Sequence, residues 1–478
     1  MVQMKRASGV LMHVSTLFGD YSIGSLGKNA KKFIDFLSEC GFSYWQTLPF
    51  CMPDGYNSPY KSFSAFSVNP FFIDLELLFE KGYITNAELS GARQNTPYSC
   101  EYERLGKERL DLLKVASKKA PRKEIKDFIK ENPHIGSFCR FMALKSANGG
   151  KEWQKWTVKE YDDDELFMWE FTQYEFISQW LDIKKYANEH GVKIIGDLPM
   201  FVDADSSDVY FDRKSFMLDA KGYPSSVAGV PPDYFSEDGQ VWGNPHYNWD
   251  VMEKDGFSWW RDRLTHTLTL FDGVRIDHFR GLESFYSIPY GAKNAKKGKW
   301  VKAKGREMID AVRDITECKL IIAEDLGAIT PEVEALVKHS TYLSMKVMQF
   351  GFLSEEDCDH RPHNYINGCV AYTGTHDNNT LLGYVWELPE RDRKMLFNYC
   401  GYEGDLHGKY EDNIFRTLFA SAAGLTILPI QDLLMFGNNT RMNIPGKSDG
   451  NWAFRITEEN LRSIDREKFK KLNKLYGR

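Results

Sequence analysis

The sequence predicts an α/β protein built as a (β/α)8 TIM barrel with helical and loop insertions. Three observations carry this. Eight short apolar runs each end in polar residues, helix-period segments separate most of them, and no G-x-G-x-x-G follows any of the eight. Strands alternating with helices imply parallel pairing through right-handed crossovers. Eight of them favour closure into a barrel over an open sheet. Without the glycine-rich turn, an open dinucleotide-binding sheet lacks its phosphate loop.

Taken in order, the first strand is Val10–Met12. A helix over Ala30–Phe42 follows, with Phe33, Ile34, Phe36 and Leu37 on one face and Gly41 as its stop. Tyr44–Pro49 reads as a buried strand. Phe176–His190 is a second helix, with Phe176, Ile177, Trp180, Leu181, Ile183 and Tyr186 as its apolar positions, and Lys193–Leu198 is the strand it feeds. Gly273–Asp277, Leu320–Glu324, Lys346–Phe350, Cys369–Tyr372 and Thr426–Ile430 complete the eight, with helices at Arg306–Val312, Pro331–His339 and Asn413–Ala423 between them.

Two regions break this rhythm. From Glu101 to Asn132, 17 of 32 residues are charged, with Leu and Ile at helical spacing. This reads as a solvated helical insertion, the centre of a helical subdomain over 75–170. The stretch Ser206–Asp250 is rich in Pro, Gly, Asp and aromatics with little periodicity, as expected of a binding-loop insertion at 206–250. The whole of 1–478 is then one catalytic barrel carrying two insertions.

Composition removes several classes. At 42% hydrophobic and 27% charged, 478 residues can bury a large core, which excludes a disordered or collagen-like chain. A net charge of −6 argues against a nucleic-acid binder. The eight cysteines form no C-x-x-C pair and no zinc spacing, so they read as reduced thiols of a cytoplasmic protein. Met1–Leu11 has no long apolar stretch behind its basic residues, and no 18-residue apolar run follows, so neither a signal peptide nor a membrane partner is expected. No H-E-x-x-H or EF-hand loop is present, so no metal is expected, and no cofactor.

In such a barrel the reacting groups sit at the C-terminal ends of the strands. Those ends carry Arg275-Ile276-Asp277-His278, Glu324-Asp325, Thr375-His376-Asp377-Asn378, and Asp197. One acid at a strand end is often a helix cap or an ion-pair partner. Several together, with two histidines and an arginine, make a site. Two facing carboxyl groups suit glycosidic-bond cleavage, because burial and like-charge proximity drive their pKa values apart and keep one protonated.

The motifs around these residues are long. They are Ser58-Pro-Tyr-Lys-Ser-Phe-Ser-Ala-Phe66, Gly196-Asp-Leu-Pro199, Val230-Pro-Pro-Asp-Tyr-Phe-Ser236 leading to Gly239-Gln-Val-Trp-Gly-Asn-Pro245, and Phe271-Asp-Gly-Val-Arg-Ile-Asp-His-Phe-Arg-Gly281. Ala323-Glu-Asp-Leu-Gly327, Thr375-His-Asp-Asn378 and Arg441-Met-Asn-Ile-Pro-Gly446 continue the series. From Gly9 to Arg455 the sequence resembles the amylomaltase family of 4-α-glucanotransferases. The resemblance implies a barrel of the α-amylase type without a separate C-terminal β-domain. It implies transfer of a 1,4-α-glucan segment to the 4-hydroxyl of an acceptor by a retaining double displacement. Donors and acceptors would be α-1,4-glucans, malto-oligosaccharides and glucose.

The same resemblance implies Asp277 as nucleophile, Glu324 as general acid/base and Asp377 as a stabiliser that helps distort the sugar ring. It has Arg275 keeping the nucleophile ionised and His278 and His376 donating to sugar hydroxyls. Ser58 and Tyr60 lie in a family motif and are expected against substrate. Tyr60, Tyr234, Phe235, Trp242 and Trp249 are candidate sugar platforms, and Asp197, Gln240 and Asn244 candidate hydroxyl partners. The sequence departs from the family pattern at Leu11-Met-His13-Val14, which lacks a proline, and at Gly55–Ser58, one residue short. Both departures bear on acceptor preference. Two other readings stay open: a hydrolase of the amylase or debranching type, and a non-catalytic glucan-binding protein.

Overall fold

The computed structural model describes residues 4–53, 55–232, 237–447 and 449–478. In chain order the strands are β1 (Ala7–Leu11), β2 (Tyr44–Gln46), β3 (Lys193–Leu198), β4 (Ser226–Val230), β5 (Gln240–Pro245) and β6 (Gly273–Ile276). They continue as β7 (Ser284–Pro289), β8 (Lys299–Lys302), β9 (Leu320–Ala323), β10 (Leu343–Val347), β11 (Cys369–Tyr372) and β12 (Leu425–Pro429). Eight of these close a parallel barrel in the order β1-β12-β11-β10-β9-β6-β3-β2. The other four form an antiparallel sheet in the order β5-β4-β7-β8.

Barrel strands are buried on both faces, so they read as short, nearly continuous apolar runs rather than alternating ones. β3 follows this rule, with every residue after Lys193 buried. Gly196 within it has no room for a side chain, because a Cβ there would overlap the ring of Phe271. β10 departs from expectation. It lies at Leu343–Val347, three residues before the expected Lys346–Phe350, and Met348–Phe352 form a 3-10 turn instead of a strand. The reason is burial. Leu343, Met345 and Val347 are buried while Ser344 and Lys346 are only half-buried, so the strand alternates where a continuous apolar run was expected.

One helix ties the barrel to the helical insertion. Asp163–Glu189 spans 27 residues, roughly 40 Å. It begins at Asp162, whose carboxylate accepts from the backbone amides of Asp164 and Glu165. Its first half packs on the helices Leu110–Ser117, Arg122–Glu131 and Pro133–Ala147. Its second half packs on the barrel, where the Trp180 indole donates to the Leu270 carbonyl and stands edge-on to Phe50 and Trp45. Leu181, expected on this buried face, is exposed. It sits one position past Trp180, about 100° around the helix.

The stretch 206–250 is more ordered than its composition suggested. It contains the helix Ser207–Phe211 and the strands β4 and β5. Their order depends on a partner outside the stretch. β4 pairs with β7, which follows barrel strand β6, and it pairs with β5 through an irregular register between Val227 and Gly229. A bulged strand completed by a distant segment leaves little periodic signal. All eight cysteines are free thiols. Among the described residues no helix is long and apolar enough to cross a membrane.

Candidate active site

The barrel delivers its charged residues to one end. Asp277 directly follows β6 and Glu324 directly follows β9, while Asp377 lies five residues beyond β11. Above them opens a groove of about 520 Å³. The acids and His278 and His376 lie within it. Ser58 and Tyr60 line it from one side, and Gln240, Trp242 and Asn244 line it from β5.

Arg275 organises the floor. One of its guanidinium nitrogens donates to both carboxylate oxygens of Asp197, at 2.8 and 2.6 Å. The other lies 3.0 Å from Asp277 Oδ1. The two partners differ in access, since the Asp197 side chain is 0% exposed and that of Asp277 27%. Burial pushes the Asp277 carboxyl up to about 6 against the pull of Arg275, and the charges of Asp197 and Asp377 add to the rise. Asp277 therefore remains ionised at neutral pH while keeping a high basicity for a carboxylate.

Glu324 is held by a strained turn. His278 sits in the left-handed region, at φ 45°, an uncommon conformation for a non-glycine residue. This aims its backbone N–H at Glu324 Oε2, 2.6 Å away. Burial drives the Glu324 carboxyl well above the ordinary range. Arg275 opposes this and the Asp277 charge adds to it. A proton therefore resides more readily here than on a free glutamate. Burial lowers the His278 ring to about 3, so it is neutral, and its Nε2 has no hydrogen-bond partner among the described residues. Trp242 stands edge-on to this ring at 4.9 Å.

Asp377 goes the other way. Burial opposes its ionisation, but His376, with Nε2 at 3.2 Å, and the Asn443 amide, donating at 2.6 Å, outweigh burial and hold the carboxyl well below the usual range. Arg441 fixes the backbone by donating to the Asp377 carbonyl at 3.0 Å. Tyr60 stacks on His376 at 5.3 Å and donates its hydroxyl to Asp197 Oδ2 at 2.7 Å.

Most residues singled out from sequence thus meet in one groove, with specific exceptions. Asp197 is a correction. It does not face the groove as a hydroxyl partner, because Arg275 and Tyr60 consume its carboxylate from within the barrel. Trp249 is another. It is buried against Tyr247, Phe257 and Trp260, so it is core and not a platform. Tyr234 and Phe235 lie outside the described residues. Asn244 spends its amide on the Val202 carbonyl, and the Gln240 side-chain oxygen accepts from the Trp242 indole. Asn443 and Trp452, which also line the groove, were missed. The Arg441–Gly446 motif contained the first of them, but it ends no strand, so nothing in the spacing pointed to Asp377. Among the described residues no cluster of His, Cys, Asp and Glu is arranged to hold a metal ion.

Comparison with known proteins identifies the family. A family profile described as 4-alpha-glucanotransferase matches residues 12–461. The 4-alpha-glucanotransferase of Streptococcus pneumoniae serotype 4 is 39% identical over 498 residues, covering 99% of this chain and 98% of that protein. The 4-alpha-glucanotransferase of Aquifex aeolicus is 40% identical over 490 residues and covers 99% of both. The solved structure of an amylomaltase from Streptococcus agalactiae in complex with acarbose superposes with a TM-score of 0.95 at 36% identity, covering 99% of this chain and 100% of that one.

Proposed function

We propose a division of labour for this groove that starts from one premise: the chain belongs to the 4-alpha-glucanotransferase family. Its activity is transfer of a 1,4-α-glucan segment to the 4-hydroxyl of an acceptor glucan.

Asp277 attacks the anomeric carbon while Glu324 gives its proton to the departing glycosidic oxygen. The bond from C1 to that oxygen breaks, an ester to Asp277 forms, and the donor's reducing-end fragment leaves with the proton. Glu324, now ionised, takes the proton from the 4-hydroxyl of an incoming chain, whose oxygen displaces Asp277 and restores the α-linkage. Asp377, held ionised by His376 and Asn443, binds ring hydroxyls and favours the distorted sugar. His278 and His376 also meet hydroxyls, and Trp242 and Tyr60 supply ring faces that bury sugar carbons and keep water from the intermediate. Glucose serves as the smallest acceptor, and the free thiols fit a cytoplasmic setting.

The observation that carries this reading is geometric: three carboxyls line one groove, Asp277 3.0 Å from a guanidinium nitrogen, Glu324 held at 2.6 Å by the His278 amide and Asp377 at 2.6 Å by Asn443. Glu324 is pushed up, Asp277 is raised beside a guanidinium, and Asp377 is pulled down. Maltotriose tests it. Transfer yields glucose plus a ladder of longer chains at a constant number of reducing ends. A rise in reducing ends in step with glucose would mean hydrolysis, and no turnover would mean a binding protein.

A further inference from the structure

Away from the groove, the antiparallel sheet carries an aromatic pair on its surface. Tyr290, 53% exposed, follows β7, and Tyr223 precedes β4. Their ring centroids lie 6.0 Å apart with planes tilted by 36°. Among the described residues neither phenol hydroxyl makes a hydrogen bond. From these observations we infer that Tyr223 and Tyr290 form a second binding site for α-1,4-glucan chains, outside the catalytic groove.

The mount is rigid. In the turn before β4, Asp219 Oδ1 accepts from the amides of Lys221 and Tyr223, and the Asp219 amide donates to the Tyr223 carbonyl. Gly222, at φ +88°, sits over the Trp153 indole, where any Cβ would overlap the ring. Gln154 donates to the Gly222 carbonyl at 3.2 Å. Trp153 is itself pinned, its indole donating to the Ala204 carbonyl and its amide to Asp205. Tyr290 is fixed from the other side by pairing of Pro289 with Ser226. An exposed ring on a preset backbone loses little freedom on binding.

The surroundings select the ligand. Glu152, Lys155 and Asp219 interact electrostatically with Tyr290, and Lys155 is already paired with Glu152 at 2.8 Å. This mixed-sign rim supplies hydroxyl partners for a neutral sugar chain. Tilted rings suit the apolar sugar faces of a curved α-linked chain, whereas a flat β-linked chain wants coplanar platforms. The tyrosines flank the same sheet whose strand β5 lines the groove. Val227 pairs with both Ile288 and Pro245, next to the groove residue Asn244. Strand geometry puts the tyrosines on the order of 10–15 Å from Asn244, a span that a few glucose units bridge. A long chain held at both places gains effective concentration that a short one cannot.

The inference rests on the glucan-transfer reading, and its test separates the two. Native electrophoresis through amylose measures the chain's affinity for a long glucan, and maltotriose disproportionation measures the groove alone. Tyr223→Ala/Tyr290→Ala should bind amylose about tenfold more weakly, with maltotriose turnover and melting temperature as in the wild type. Tyr290→Phe, which keeps the ring, should retain amylose binding. Retardation by amylose unchanged in the double variant would overturn the proposal. So would equal retardation of the wild type by a β-1,4-glucan.

Discussion

The floor and the wall of the groove are built on different physics. The floor is the C-terminal end of the parallel barrel, where Arg275, Asp197, Asp277 and Glu324 lie among buried neighbours and shift one another's proton affinities. The wall is strand β5 of the antiparallel sheet. Its groove residues Gln240, Trp242 and Asn244 alternate with Val241 and Gly243, and none carries a charge. In the proposed mechanism a floor of coupled charges sets reactivity, and a neutral wall sets which sugars and how much water reach it. Within the floor the same contrast recurs at smaller scale. Arg275 has two carboxylate partners, and the buried one holds the arginine while the accessible one faces the groove.

The largest effect should come from the accessible carboxylate. Asp277→Asn or Glu324→Gln should lower turnover by ~10³-fold or more, with far-UV circular dichroism unchanged. Near-normal rates in either would mean that the floor is not the reacting part. Asp277→Asn has a second readout. Its carboxyl titrates higher folded, at about 6, than in an unfolded chain, so the folded state binds more protons between those values. Stability contributed by this group is therefore present at acid pH and lost as pH rises through about 6. The asparagine variant should melt above the wild type at pH 7.5, with the gap closing toward pH 4. A gap that widens on acidification would reverse the assignment.

Next in size is the buried pair. Arg275→Met strands Asp197 in the barrel with only the Tyr60 hydroxyl, which should cost about 3–5 kcal/mol. Urea denaturation would reveal it, and an unchanged midpoint would deny the anchoring role. Asn443→Ala removes the amide at 2.6 Å from Asp377, a charge-assisted bond of about 1.5–3 kcal/mol. A fall in kcat of about 10–100-fold is expected, with little change in melting temperature. The smallest effect belongs to the wall. Trp242→Ala should leave stability within about 1 kcal/mol and shift product from transferred chains toward free reducing ends.

The floor was the legible part of the sequence. Asp277, Glu324 and Asp377 stood out because barrel strands end where the chemistry sits, and that rule is local. The wall was hidden, because β4 and β5 gain their order from β7, more than forty residues past the helix that opens the stretch. Residue type alone also misplaced two side chains. An aspartate in a strand reads the same whether it meets a sugar or an arginine, so Asp197 looked like a contact. A tryptophan in a loop-like stretch reads the same exposed or packed on Trp260, so Trp249 looked like a platform. In both cases a neighbour distant in sequence made the decision.

In the proposed mechanism Asp277 carries the glycosyl group. Glu324→Gln treated with an α-maltosyl fluoride tests it directly. Fluoride leaves C1 without needing the acid, the ester to Asp277 forms, and resolution is slow because the base is gone. Peptide mass spectrometry should find one maltosyl adduct on the fragment containing Asp277. An adduct on Asp377, or on no carboxylate at all under conditions that release fluoride, would contradict it.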